Sequence, residues 1–438
     1  MSLKDDFKTF CDKLLLTNKS DMETTAGEIA KKLNNVYYGL DSEKSEHMYI
    51  VGSVGRNTAI KGSSDLDLLF DLPNETYKKF DNYESNGQSA LLQEVKKYLK
   101  ERYPKTDLRG DGQVVVIDFT NYTVELVPGF KQTDGKFKYP DTNDGGNWKK
   151  TDPIPEQDEC ESFNTETDGN FINVCHMLRS WKNKKGFKFG GLLIDTLTYD
   201  FFNDNTTYKN VGFDSYLDMM KEVFKYLKNL DKNQSYWYAL GSNQQVYNSD
   251  NGDFIDKADD AYNDIKDLTA ETENINKKLR KIFGSSFPKK EVVTEQASAY
   301  KQYAGYTYSD TEEFIENIVP IDIRYKLVID CKVTQAGWRD QILSYILRTR
   351  DILRINKQLD FYIAYTDAPP PYDIYWKVKN EGEVAIQKNK IRGQIRKTNN
   401  DHQKESTNFR GPHYVECYLV KNGVCVAKGR IDVPISNM

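Results

Sequence analysis

Histidine is scarce in this chain: four among 438 residues, at positions 47, 176, 402 and 413. That scatter supplies no zinc or haem ligand set. Cysteine is hardly richer, with six residues at 11, 160, 175, 331, 417 and 425 and no Cys-x-x-Cys. Cys417 and Cys425 flank an Asn422-Gly423 turn, whose pairing would set 417 opposite 428 and 420 opposite 425. The two thiols then lie on opposite faces, so a disulfide is not expected and a reducing compartment is. Positive charge is not in excess either. Lys and Arg number 61 against 66 Asp and Glu, a formal net charge of −5. A general nucleic-acid binder is therefore not expected, and any polyanion must meet a local basic pocket. No apolar run approaches the ~18 residues that would span a bilayer, and Met1 to Asp6 does not read as a signal peptide. A soluble, cytoplasmic protein without membrane contact is expected.

What is present fits a globular chain. Hydrophobic residues make up 38% and aromatic residues 13% of the sequence, enough for cores, and the length suggests two domains. The densest signal lies between Gly52 and Leu72, GSVGRNTAIKGSSDLDLLFDL. Met48 to Val51 predicts a short strand ending at Gly52-Ser53. A glycine there lets backbone N–H groups approach a phosphate, and the serine hydroxyl adds a donor. Leu66, Leu68, Leu69 and Phe70 around Asp65 and Asp67 predict a second strand. Strands alternate faces, so both carboxylates point the same way. Paired acids repel unless cations lie between them, and such oxygen ligands suit Mg²⁺. The plainer alternative is a solvated Asp-x-Asp at a strand end.

Gly-Ser followed by Asp-x-Asp resembles the signature of the polymerase-β-type nucleotidyltransferases. More closely it resembles that of the bacterial CD-NTases (cGAS/DncV-like, or SMODS, nucleotidyltransferases), which make cyclic oligonucleotide signals. The resemblance implies an α+β fold with a polymerase-β-like core sheet over residues 1–160 and an α-helical half over 161–288. It also implies a third metal-binding acid on a later strand ahead of Val-Pro. Val124-Glu125-Leu126-Val127-Pro128 makes Glu125 the candidate, although Asp is commoner there; Asp118, on the neighbouring strand, competes without the flanking pattern. Asp65, Asp67 and Glu125 would then hold two Mg²⁺ ions, with Mn²⁺ as a substitute. Gly52, Ser53, Arg56 and Ser64 would surround the phosphates. The family carries a basic residue two positions before a tryptophan that reaches the triphosphate, and Arg179 before Trp181 fits. Lys182 shares its helix face. The alternative is a pair of solvated cations.

Residues 5–16, 21–38, 88–101, 168–184, 192–202, 213–229 and 253–283 predict helices, the second capped by Ser20 or Asp21. Phe137 to Pro153 reads as a long loop. In it Trp148 and Lys149 suit a base and a phosphate, or Trp148 covers the core edge. Tyr236-Trp237-Tyr238 with Gly241-Ser242 is expected to border the nucleotide pocket. Beyond a linker near Pro288, a strand over 325–333, a helix over 338–355 and strands with an Asn422-Gly423 hairpin suggest a β-sandwich at 300–438. Tyr375-Trp376-Lys377-Val378, Asn380, Gly382, Ile391-Arg392-Gly393 and His413 to Tyr418 resemble the AGS-C sensor domain. Lys388, Lys390, Arg392, Arg396 and Lys397 form an acid-free run that would suit a small ligand or nucleotide; a charged edge strand is the other reading.

The whole resemblance implies an enzyme that joins nucleoside triphosphates, ATP or GTP, into a cyclic di- or trinucleotide with loss of pyrophosphate. Its product would be read by a downstream effector in antiphage (CBASS) signalling. The alternatives are template-independent transfer to an RNA or protein acceptor, or a non-catalytic nucleotide-sensing module.

Overall fold

The computed structural model describes residues 2–63, 65–290, 312–337, 339–349 and 353–436. Ser64 and Trp338 lie outside the described residues. The chain divides into two compact units. One comprises 1–181 and 189–288, the other 182–188 and 289–438.

The first unit opens with α1 (Leu3–Leu14), whose Ser2 forms a capping box with Asp5, and α2 (Lys19–Tyr38). Helix α2 starts before the expected Ser20 or Asp21 cap. Its flanking Asn18 makes no side-chain cap bond. A sheet follows from β1 (Met48–Ile50), β2 (Asp65–Asp71), β3 (Asp107–Asp111), β4 (Val114–Asp118) and β5 (Thr123–Lys131) in the order β1-β2-β5-β4-β3, with β2 and β5 parallel. Helix α3 (Gly52–Gly55) is one turn between β1 and β2. Helices α4 (Asn74–Asp81) and α5 (Gly87–Arg102) precede β3.

The two-residue period of β2 decides its faces. Leu66, Leu68 and Phe70 pack with Met22, Ile29 and Leu33 of α2 and Leu91, Val95 and Leu99 of α5 in one core. Burying each such side chain is worth about 1.5–3 kcal/mol. Asp65, Asp67 and Leu69 therefore occupy the opposite face. There Leu69 packs with Val51 and Phe137.

Strand β5 runs through Pro128-Gly129 and continues into β6 (Phe137–Asp141) and β7 (Asn147–Thr151). The expected long loop is thus a hairpin turning at Gly145 and Gly146, both at φ 89°. Trp148 packs on Tyr77 and Phe130, at 5.1 and 5.6 Å between ring centroids, and its Nε1 donates to Asp81 at 2.9 Å. Lys149 pairs with Asp141. The core-edge reading of this stretch is the one the packing supports.

The helical part holds α6 (Pro153–Glu166), α7 (Asn170–Lys185), α8 (Gly191–Asp204) and α9 (Tyr216–Lys228). A small hairpin, β8 (Tyr236–Tyr238) and β9 (Gln245–Tyr247), leads into α10 (Asp253–Ile265) and α11 (Ile275–Phe283). The single helix expected over 253–283 is broken ahead of Asn274, which adopts φ 57°.

The second unit is a two-sheet sandwich. One sheet has the order β11-β10-β12-β15, from β10 (Leu327–Thr334), β11 (Gln341–Ile342), β12 (Gln358–Thr366) and β15 (His402–Ser406). The other, β14-β13-β16-β17, is built from β13 (Asp373–Asn380), β14 (Arg392–Lys397), β16 (Gly411–Lys421) and β17 (Val424–Ile435). Ile329, Cys331 and Phe361 of the first meet Trp376, Val415, Cys417 and Val426 of the second in one core. Of the helix expected over 338–355, the described residues hold Leu343–Thr349 as helix, with Gln341–Ile342 paired as β11.

A bulge between Leu419 and Val420 sets Cys417 opposite Gly429 rather than residue 428. All six cysteines are free and buried. The other face of the second sheet carries buried charge. Glu416 receives Lys428 at 3.0 Å and Lys377 at 3.4 Å. Burial alone would raise the Glu416 carboxyl, but Lys428, Lys377 and Lys184 hold it well below the usual range. Lys184 itself is pushed down to about 8 by burial.

Candidate active site

Parallel pairing of β2 with β5 sets Asp67 beside Glu125 and Asp65 beside Thr123. Residues opposite one another in adjacent strands share a face at about 4.8 Å, so three carboxylates line one strip. Asp118 is opposite Thr123 on β4, one strand further out. It forms an ion pair with Arg109 and accepts from the Thr123 hydroxyl at 3.1 Å. Glu125 is therefore the nearer acid to β2.

The Val51 N–H donates to the Asp67 carbonyl at 2.9 Å, which carries the end of β1 directly past Asp67. Gly52 then adopts φ 62°, and a Cβ there would overlap the Asp67 carboxylate. Glycine is required twice over, for the left-handed backbone and for the space. The Ser53 carbonyl accepts from Thr58 and Ala59 N–H at 2.9 and 3.0 Å, closing the turn that follows.

A buried network holds this turn from behind. Asp195 of α8 is fully buried and accepts from Arg56 Nε at 3.0 Å, Thr58 Oγ1 at 2.9 Å and Arg179 at 2.7 and 3.0 Å. Burial would raise this carboxyl, but Arg179 and Arg56 outweigh it and leave it lowered. Arg56 also lies 3.5 Å from Glu156, which accepts from Ser242 and Gln244 beside the aromatic hairpin. Burial raises Glu156 despite that arginine.

The expected phosphate contacts of Arg179 and Lys182 give way to other geometry. Arg179 is 5% exposed, and both its terminal nitrogens are engaged by Asp195, Thr58, Gly191 and Cys175. Arg56, 7% exposed, is likewise turned to Asp195. Lys182 belongs to the second unit, where it donates to the Ile323 carbonyl at 2.7 Å. Asp195 is the residue that sequence reasoning missed. Its signal was available: a lone acid inside Leu192-Leu193-Ile194-Asp195-Thr196-Leu197 must be paired if the helix is buried.

Among the described residues no group of three or more histidine, cysteine, aspartate or glutamate side chains is arranged to hold a metal ion.

Residues 1–164 match the Second Messenger Oligonucleotide or Dinucleotide Synthetase (SMODS) domain, and residues 309–436 match the Adenylyl/Guanylyl and SMODS C-terminal sensor domain. The chain belongs to the bacterial CD-NTases. Among curated relatives of this CD-NTase is a probable cyclic nucleotide synthase of Bacillus cereus (strain VD146), 22% identical over 213 residues. That match spans 42% of this chain and 63% of the relative. CdnC of E. coli MS115-1, solved with ATP, shares its fold with a TM-score of 0.51 at 18% identity, over 66% of this chain and 99% of that one. Metal dependence is general in the family.

Proposed function

We propose that this CD-NTase joins nucleoside triphosphates, ATP or GTP, into a cyclic di- or trinucleotide. The observation that carries the reading is Gly52 lying against Asp67, with Glu125 in register across the parallel pair. Asp65, Asp67 and Glu125 would hold two Mg²⁺ ions, which supply charge neutralisation at the triphosphate and ease deprotonation of the attacking hydroxyl. The Gly52-Ser53 turn positions the phosphates through backbone N–H groups. Arg56 and Arg179 act through Asp195, fixing that turn rather than touching phosphate. A ribose 2′- or 3′-oxygen forms a bond to the α-phosphorus of a second nucleotide. The α–β phosphoanhydride bond breaks, pyrophosphate leaves and the hydroxyl proton passes to solvent. Repetition of the step within the linear product closes the ring, so placement does most of the catalytic work. The cyclic product would serve a downstream effector in antiphage (CBASS) signalling, as the family resemblance implies.

The test is incubation of the full chain with all four nucleoside triphosphates and Mg²⁺ or Mn²⁺. Products are treated with phosphatase and identified by mass spectrometry. A phosphatase-resistant cyclic product, absent from an Asp65→Asn/Asp67→Asn variant, supports the reading. Label incorporated only into added RNA or protein would replace it with transfer to that acceptor, and label bound without turnover would make it a sensing module.

A further inference from the structure

The sandwich of the second unit encloses a cavity of about 450 Å³ between its sheets, within the range of small-molecule sites. Leu359 and Phe361 of β12 contribute one wall, and Val415 and Val433 of β16 and β17 the other. The arginine at its mouth is already neutralised. Arg392 of β14 grips Glu405 of β15 through two hydrogen bonds, 2.6 and 3.0 Å, and so ties one sheet to the other across the opening. Lys397, at the end of the same strand, pairs with Asp373 at 2.7 Å. The run from Lys388 to Lys397 is therefore not acid-free in space, and the cavity is no anion hole.

Neutral hydrogen-bonding groups are what it offers. His413 lines it, is 6% exposed, and directs Nε2 to the Phe409 carbonyl at 3.4 Å. Its Nδ1 has no partner among the described residues, a costly state for a buried polar atom. Burial lowers the imidazole, so the ring is neutral and Nδ1 is an acceptor. Asn380 spends its amide N–H on the Lys390 carbonyl at 2.6 Å, which leaves its oxygen for a donor. The Phe409 ring meets His413 edge to face at 5.1 Å. Two non-glycine residues of the rim, Asn389 and Arg392, hold left-handed φ of 55° and 59°. Such backbone carries a cost and clusters at ligand sites.

An aromatic and aliphatic cleft with amide and imidazole groups, and with its arginine paired to Glu405, matches a flat ring whose edge alternates donors and acceptors. We infer that this cavity binds a small molecule through a nitrogen heterocycle the size of a nucleobase, seated near Phe409 and His413 and read by neutral side chains. Any phosphate the ligand carries stays at the solvent side, near the exposed Lys390. Gly52, Asp65, Asp67 and Glu125 take no part, so this site stands or falls separately from the catalytic reading.

The test is titration calorimetry on the full chain with adenosine, guanosine, cytidine and uridine, then with their 5′-monophosphates. It is repeated on Asp65→Asn/Asp67→Asn, His413→Phe and Gln394→Trp, the last an exposed rim position that a larger ring would obstruct. Expected is saturable binding of at least one nucleoside, retained in the double aspartate variant and weakened about tenfold or more in the two cavity variants. A monophosphate that binds tighter than its nucleoside identifies a nucleotide as the ligand; equal affinity identifies the nucleoside. Absence of saturable heat from every probe overturns the inference. So does affinity unchanged in both cavity variants, or lost only in the aspartate variant. Should His413→Phe fail to fold by circular dichroism, Gln394→Trp decides alone.

Discussion

Replacing Gly52 by Ala adds a single methyl group, yet it would drive that group into the Asp67 carboxylate from a backbone at φ 62°. The left-handed conformation costs roughly 1–2 kcal/mol for a residue with a Cβ. A shift of Asp67 by about 1 Å costs on the order of a hundredfold in rate. Gly52→Ala is thus expected to melt within a few degrees of the parent while pyrophosphate release falls about a hundredfold; near-normal release would show that Asp67 is not a ligand. At the next position of the strip, Glu125→Gln should abolish turnover while Asp118→Asn keeps most of it. The Asp118–Arg109 pair is partly exposed, so its loss costs no more than about 1 kcal/mol. An inactive Asp118 variant beside an active Glu125 one would move the third ligand out by one strand. The common face of Asp65 and Asp67 was legible because alternation is local. The partnership of Asp195 with Arg56, 139 residues away, was not, since sequence marks an acid as needing a partner without naming it.

Elements were legible where one periodicity ruled and illegible where turns decided. β2 and α5 follow their apolar patterns closely. The hairpin of β6 and β7 was hidden because Pro140 and two glycines suggest a loop, whereas only paired backbone reveals the strands. Helix α4 was hidden because its buried side is little more than Phe80. Helix α7 carries its own prediction. His176 is buried, its Nε2 facing the Asn57 carbonyl at 3.2 Å, and burial pushes its pKa down to about 4. Its ordinary value is about 6.5, so in this window the unfolded chain binds the extra proton. Stability from this group is complete above pH 6.5 and falls as pH drops from there toward 4, by at most about 3 kcal/mol. His176→Gln should flatten that segment of a stability-versus-pH curve measured by denaturant unfolding; an unchanged slope would assign it to other groups. Helix α8 supplies a second prediction. Asp195→Asn keeps the volume but leaves two buried arginines short of a charge, at a cost of roughly 3–5 kcal/mol. Calorimetry should find the melting temperature lower by roughly ten degrees, and a shift of a degree or two would mean the network is dispensable.

At the scale of the molecule, the sequence suggested a linker near Pro288, but nothing in it marked 182–188 as part of the unit that holds 289–438. Asn183 exchanges hydrogen bonds with Ile321 and Ile323, and Lys428 donates to the Lys184 carbonyl. A chain ending near residue 290 would strip this segment of those partners. It should therefore melt earlier and aggregate more readily than the full chain, a comparison for light scattering during a thermal ramp; equal behaviour would make the segment's contacts incidental. The same arrangement sets a timetable for synthesis. Lys428 leaves the ribosome 244 residues after Lys184, which at about 5–20 residues per second is a wait of roughly 12–50 s. Until the interval closes, the nascent chain holds out seven residues whose set of partners is still incomplete. A ribosome that stalls between the two would release a product that is whole in its carboxylate strip and unfinished at the last turn of α7, the kind of unpaired segment that a chaperone or a protease finds first.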